Sequence, residues 1–324
     1  MPYYQWKKRK IWLGIESVRG TAVAPTYWFP WTDYSFVPKI DVMEDEGNAG
    51  TLISSIDSHV TKQWSEGNIG GKVYPNGIVY LLLAALGKKT TNNAGSNPVH
   101  TIEVEEVNNH PSLTICTSDP VSDMQYPLWV VDNLQISAET GGDYNVTSTI
   151  KAKIGVTPAG AYTPWYVNEE AFTATDIKVY VENNLAALAG ATNNICVQRF
   201  DITISKETED IDCLSSLDPI DFMNTSMKIE GNLEMYWTNN DYRDYTMGSI
   251  AKAIRIKAVD TSVTLTGAEN PEITIDLAKV KFVDWSDAVT LWDIIKQTVK
   301  FTAHYSIANS KAISVLVRNT KATY

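Results

Sequence analysis

Two acid-bearing motifs are the first places to look for chemistry. Glu66-Gly67-Asn68-Ile69 and Glu230-Gly231-Asn232-Leu233 each set a carboxylate before a Gly-Asn pair, at matching points of the chain. Two carboxylates facing one sugar would be the acid and the nucleophile or base of a glycosidase. Nothing in the flanking residues supplies the raised pKa that a general acid needs. His59, His100, His110 and His304 lack metal-ligand spacing. The acidic turns Glu44-Asp45-Glu46 and Glu207-Thr208-Glu209-Asp210 lack the alternating oxygen ligands of a calcium loop. There is no phosphate-binding glycine loop and no Gly-x-Ser-x-Gly elbow. Cys116 has no readable activating partner and reads as a buried structural thiol. The expectation is a chain that is not an enzyme and carries no cofactor or metal. Tyr27, Trp28, Trp31 and Tyr34 could stack on a sugar, which motivates a glycan-binding alternative; an N-terminal arm packing on a neighbour is the competing account.

The elements that position these residues occur twice. The two Glu-Gly-Asn motifs are 164 residues apart, close to half the chain. Leu52-Ile53-Ser54-Ser55-Ile56-Asp57 matches Leu214-Ser215-Ser216-Leu217-Asp218, and an acidic turn precedes each. A period of this kind fixes architecture before any single motif does. In residues 199–205, Phe200, Ile202 and Ile204 share one face and Asp201, Thr203 and Ser205 the other. Met227, Ile229, Leu233 and Met235 alternate with Lys228, Glu230, Asn232 and Glu234. Such alternation predicts antiparallel strands with one buried and one wet face. In the first copy Phe36, Pro38, Ile40 and Val42 oppose Val37, Lys39 and Asp41, while Gly67, Ile69, Gly71 and Val73 oppose Glu66, Asn68, Gly70 and Lys72. At the 164-residue offset Phe36 falls on Phe200, Pro38 on Ile202 and Ile40 on Ile204, so the parity agrees between copies.

Each copy also predicts one helix. Residues 76–86 are apolar all round, with Asn76 to cap and Gly87 to terminate, so this helix should be buried, under a sheet and a neighbouring subunit. Residues 240–253 are amphipathic with an acidic first turn. The fold class expected is all-β: two tandem, similar β-sandwich or half-barrel domains, each with one flanking helix. The first domain spans 1–158, a linker with one crossover strand 159–197, and the second domain 198–324.

Bulk properties agree. The chain has 324 residues, a net charge of −11 and 44% hydrophobic residues, enough for two cores. An acidic chain does not accumulate on nucleic acid, since that needs Lys and Arg against phosphate. The basic run 7–10 reads as a solvated terminus. The residues that follow turn charged too soon for a signal peptide, and the longest apolar run, 78–86, is far below a membrane span. Three scattered cysteines predict no disulfide framework and a reducing compartment.

Four features in order carry a resemblance: Leu13-Gly14-Ile15-Glu16-Ser17 with Gly20-Thr21-Ala22, then Glu44-Asp45-Glu46-Gly47, then Glu66-Gly67-Asn68-Ile69 with Gly71 and the Leu-rich helix, and last Trp292-Asp293-Ile294-Ile295-Lys296-Gln297 before two strands. The chain resembles the major tail tube proteins of long-tailed, non-contractile bacteriophages. The resemblance implies domains that assemble into rings, stacked as the conduit for double-stranded DNA. A chain with two such domains would close a pseudo-hexameric ring as a homotrimer. It also implies a virion-tail location after assembly in the host cytoplasm, with a tape measure protein, a tail terminator and tail-tip or distal tail proteins as partners, and no membrane. The polar parity would then face the channel: Lys39, Asp41, Glu66, Asn68, Lys72, Asp201, Thr203, Ser205, Lys228, Glu230, Asn232 and Glu234. Loops 43–61 and 206–225 would reach the adjacent ring through Glu44, Asp45, Glu46, Ser54, Asp57, Glu207, Glu209, Asp210 and Asp212. Trp28, Trp31, Leu82 and Leu83 would pack between subunits. The inner tube of a contractile tail or secretion apparatus is a further alternative, disfavoured by the duplication.

Overall fold

A computed structural model describes residues 8–47, 50–93, 95–158, 160, 162, 166–288 and 294–324. In chain order the first half holds β1 (Lys10–Ile15), β2 (Tyr27–Trp28), β3 (Trp31–Tyr34), β4 (Val37–Asp45), β5 (Asp57–Lys72), α1 (Ile78–Leu86), β6 (Gly87–Asn92), β7 (Val99–Val104), β8 (Leu113–Ser118), β9 (Asp123–Glu139) and β10 (Asn145–Ala152). The second half holds β11 (Ile177–Glu182), the one-turn α2 (Leu185–Leu188), β12 (Val197–Ile211), β13 (Asp221–Tyr236), α3 (Asp241–Met247), β14 (Lys252–Val259), β15 (Glu272–Ala288), β16 (Lys296–Ala303) and β17 (Ile313–Arg318).

Eight strands form one antiparallel sheet in the order β4–β5–β10–β9–β12–β13–β16–β15. Its first four strands and its last four repeat the same order. The N-terminal halves of β9 and β15 leave this sheet for a second layer. There β9 joins β8, β1 and β2, while β15 joins β14 and β11 on one side and β17, β7 and β6 on the other. One apolar core lies between, with Ile11, Leu13 and Ile115 in the same cluster as Ile202, Leu233 and Phe301. The all-β class read from alternation is the observed one. β11, read as a crossover strand of the linker, pairs with β14 as β1 pairs with β8.

The repeat is visible down to its irregularities. A bulge interrupts β4–β5 at Asp41/Val42 and β12–β13 at Glu207/Thr208. At each, a threonine hydroxyl donates to the facing carbonyl: Thr61 to Asp41 at 3.3 Å, and Thr225 to Glu207 at 3.0 Å. Val37 faces Glu66 as Thr203 faces Glu230. These equivalences correct one alignment. The second strand of each copy keeps the offset of 164, but the first is displaced by 166, so Phe36 corresponds to Ile202 and Ile40 to Lys206. A two-residue slip preserves which face each side chain takes, so parity alone could not detect it. For β9 and β15 the offset is 151: the bulge beside Asn133 recurs beside Asp284.

Gly67 holds φ +150° where a Cβ would meet the Phe36 backbone 2.5 Å away, and a Cβ on Gly231 would strike Asp201 O and the Phe301 ring. The Glu-Gly-Asn motif is therefore a site of close packing, with its glycine as the constrained member.

Other expectations need correction. The N-cap of α1 is Gly77 with no side-chain cap; Asn76 instead donates its N–H to Glu169 at 2.9 Å. The second helix ends at Met247, well short of residue 253, because its chain turns at Gly248. Glu44, Asp45, Asp57, Glu207, Glu209 and Asp210 lie in strands, not loops, since both hairpins extend further than the acidic runs suggested. The turns proper are 46–56 and 212–220, and hold Glu46, Ser54 and Asp212; Asn48 and Ala49 fall outside the described residues. Trp292 and Asp293 do so too.

All nine residues of α1 are buried. Leu82 and Leu83, expected at a subunit interface, are both buried within this chain, Leu82 in its main core. A helix with no polar side chain in its last turn still leaves its last four carbonyls to be satisfied. Leu83 O accepts from Gly87 N, Leu86 O from Glu105 N at 2.7 Å, Ala85 O from the His110 ring at 3.1 Å, and Ala84 O from Lys206 Nζ at 2.9 Å. Lys206 is buried, and burial pushes its ammonium down from 10.5 to about 7, with nearby Arg19 acting in the same direction. Between those values the unfolded chain holds a proton that the folded chain has released, so this group makes stability rise with pH across that window. In urea unfolding at pH 7 and pH 9.5, the native midpoint should gain on that of Lys206→Met, which cannot titrate. Parallel behaviour of the two would refute a buried, depressed lysine.

Candidate functional site

The face of the eight-stranded sheet opposite α1 is polar, and it is continuous. Register places Lys72, Asn145, Ser137, Asp201, Asn232, Lys300 and Asp284 in one row across seven strands. A second row runs Asn68, Thr149, Asn133, Ser205 and Lys228. A third runs Thr147, Gln135, Thr203, Glu230 and Thr302.

The side chains answer each other within and between rows. Thr149 donates to Asn68 at 2.9 Å, Asn133 to Ser205 at 3.3 Å and Asn232 to Asp201 at 3.1 Å. Ion pairs join Lys228 to Glu230 at 2.8 Å, Lys72 to Asp143 at 2.8 Å, Lys296 to Glu234 at 3.4 Å and Lys300 to Asp284 at 3.3 Å. Trp64 donates its indole N–H to Glu66 at 2.9 Å. Such exposed pairs contribute little stability each. They also leave few charges on this face without an opposite neighbour.

All twelve residues picked from the polar parity are thus on exposed or half-buried strand positions, on β4, β5, β12 and β13. Sequence reasoning missed the contribution of β9, β10 and β16: Asn133, Gln135, Ser137, Asn145, Thr147, Thr149, Lys300 and Thr302. The signal was present, since Leu134, Ile136 and Ala138 alternate with Asn133, Gln135 and Ser137 just as in β12.

The catalytic alternative fails on geometry. Glu66 and Glu230 stand on β5 and β13 with β10, β9 and β12 between them, about 19 Å at the usual strand spacing. Paired glycosidase carboxylates need about half that or less. Among the described residues, no three of His, Cys, Asp or Glu gather as a metal site would require. The aromatic platform fails too. Tyr27 is buried, stacked on Tyr80, with its hydroxyl donating to Glu169 at 2.6 Å. Trp28 is half-buried against Trp12 and Tyr166, and Trp31 lies against Tyr34 with its indole N–H on Arg9 O.

The two edges and the two hairpins complete the site. β4 is exposed along its whole length, and among the described residues the C-terminal half of β15 has β16 on one side only. In the second hairpin Asp210 and Asp212 are held by Lys62 of β5, each at 2.8 Å, and Asp210 also by Lys151 at 3.1 Å. Burial would raise the Asp210 carboxyl, but the two lysines hold it below its usual value. Gln63 N donates to Leu217 O in the same hairpin. Two of the acidic residues expected to reach outward are therefore occupied within the chain. The hairpin tips are apolar instead: Leu52, Ile53 and Leu214 are exposed.

A family model for phage tail tube proteins matches residues 6–303. A comparison with curated proteins finds no match. With a β-rich fold of two matched halves and a match over most of its length, the chain belongs to the phage tail tube protein family.

Proposed function

We propose that three copies of this chain close a pseudo-hexameric ring, and that stacked rings form the tail tube of a long-tailed, non-contractile phage, the conduit for ejected double-stranded DNA. One observation carries this. The chain joins two equivalent four-stranded units edge to edge into one sheet, and leaves the same two edges, β4 and β15, free at its ends. Free edges that match an already formed internal joint call for more copies of the same joint. A heterologous contact repeated this way closes into a ring when its rotation fits, and closure removes the exposed edges. We take the second domain to begin at β11, with the segment before it as the connection.

The polar face then lines the channel. Its mixed ion pairs and the net charge of −11 offer phosphate no basic track, as suits a passage that must not hold its cargo. The apolar hairpin tips lie against the next ring, which would hide Leu52, Ile53 and Leu214 from water. The remaining stacking positions, the acidic Glu44, Asp45, Glu46, Asp57, Glu207 and Glu209 together with Ser54, flank those tips. A tape measure protein inside, and a terminator and tail-tip proteins at the ends, are the partners this role requires, in a tail assembled in the host cytoplasm.

Negative-stain electron microscopy of the purified chain over a concentration series should give hollow tubes, or rings of three subunits with six lobes. Particles that stay the size of one chain at every concentration would overturn the ring. The stacking role separates from ring closure in a second experiment. Leu52→Ser, Ile53→Ser and Leu214→Ser combined should leave rings in sedimentation velocity while tubes disappear; tubes of ordinary length would refute it.

A further inference from the structure

The joint inside the chain, β9 to β12, is a template for the joint between chains, because β15 corresponds to β9 and β4 to β12. Resting on the ring just proposed, we infer that β15 of one subunit pairs with β4 of a second copy in the register of the internal joint, but with the chemistry of that joint inverted. Inside the chain Ser137 faces Asp201, Gln135 faces Thr203 and Asn133 faces Ser205. Carried over by the offsets of 151 and 166, Ala288 faces Ser35 of the second copy, Ser286 faces its Val37, and Asp284 faces its Lys39.

The replacements are complementary. On the helix side of the internal joint stand three polar groups: Lys206, reaching Ala84 O, and Thr208, which donates to Asp132 at 2.6 Å. Their counterparts are Ile40, Val42 and Val283. All three are open to water in the single chain, at 55%, 50% and 57% exposure. α3 lies against β15 as α1 lies against β9; it ends at Met247, with Ile250 in the turn that follows, exposed at 75% and 44%. Five apolar side chains thus wait around a joint that one subunit cannot make.

The helix ends explain the inversion. α1 needs Lys206 because Ala84 O and Ala85 O have no backbone donor. At the matching turn of α3, Tyr245 O accepts from Ile250 N at 2.9 Å and Thr246 O from Ser249 N at 3.1 Å. A helix that satisfies its own last carbonyls needs no lysine from the facing strand, and Ile40 is the residue that fits. On the polar face the change runs the other way. The neutral bond from Asn133 to Ser205 becomes an ion pair of Asp284 with Lys39 of the second copy, beside the existing Lys300.

The arrangement also sorts correct from incorrect joints. A β12 placed on a foreign β15 would bury Lys206 against Val283 with no carboxylate in reach, and burying an unpaired charge is costly. Pro38, whose ring nitrogen points to the open side of β4 because Ser35 N points to β5, withholds one ladder donor. Edge strands use such a proline against indiscriminate pairing.

Cross-linking in the assembled protein tests the register. With exposed Cys196 and Cys213 changed to Ser, Lys39→Cys with Asp284→Cys should give disulfide-linked dimers and trimers on mild oxidation of rings. Lys39→Cys with Ser286→Cys, two residues out of register, should link about tenfold less, since strand register is held by the pattern of faces. Both positions are exposed, so folding is not at stake. Rings that link only through 39 and 286, or through neither pair, would overturn this register while leaving the ring intact. An unmodified chain that never forms rings would remove the ring itself. As a second reading, Asp284→Lys should lower ring yield and Lys39→Asp in the same chain should restore it; no loss, or no rescue, would count against the ion pair.

Discussion

Everything in this molecule turns on how a fully buried, almost wholly apolar helix disposes of its own backbone. α1 brings nine buried residues to the core, and its one polar side-chain group, the Tyr80 hydroxyl, pairs with Thr26 and Lys321 and not with a helix carbonyl. Its C-terminal end therefore draws in donors from elsewhere: the His110 ring, the backbone of Glu105, and an ammonium from the other repeat. That last bond crosses the joint between β9 and β12. The helix covers the joint, and the joint supplies the helix. Neither repeat is complete alone, since the first would leave Ala84 O unpaired and the second would leave Lys206 without the carbonyl it bonds. Around the same place Arg19 donates to His110 O and to Phe222 O and pairs with Asp221 at 2.7 Å. Two further elements are thereby tied to the joint, one from each half.

Much of the fold was legible because alternation and repetition are local patterns. Phe200, Ile202 and Ile204 against Asp201, Thr203 and Ser205 fixed both the strand and the face, and the matching glycines found the repeat. What escaped was whatever depends on a partner strand. The displacement of 166 in β4 against β12 is invisible to parity and appears only when the bulges are superposed. Lys206 looked like the polar end of a strand, since its acceptor is 122 residues away. Leu82 and Leu83 looked surplus to one domain because β6 went unread, and it joins β7 in covering α1. Asp210 and Asp212 read as free acids because nothing near them in sequence announces Lys62.

The polar face was legible in kind but not in extent. Four strands of it could be read from two motifs. The rest required knowing that β9 and β10 lie between those strands, which makes the face continuous across the middle of the sheet. Continuity is what gives the face meaning. Scattered polar residues are a solvated surface, whereas parallel rows, one of them unbroken from β5 to β15, with charges answered in pairs make a surface of nearly uniform character.

In the proposed ring, duplication would offer something that six identical domains cannot have, which is two kinds of joint. In a ring of one domain every joint must form from separate, soluble subunits, so each desolvates its groups anew at assembly. A buried lysine at such a joint would be exposed in the free subunit and would give up its hydration on docking, at several kcal/mol per ion. In a fused pair that cost falls within folding, where the rest of the core offsets it. The joint inside the chain can therefore carry Lys206, Asp132 and Thr208 as a specific polar key. The joint between chains should be cheap to dehydrate, and Ile40, Val42, Val283 and Met247 are residues of that kind. In the proposed ring the same division would keep the free chain from closing wrongly on itself or on a neighbour, because the two open edges share the register of the joint already made but differ from it in side-chain chemistry.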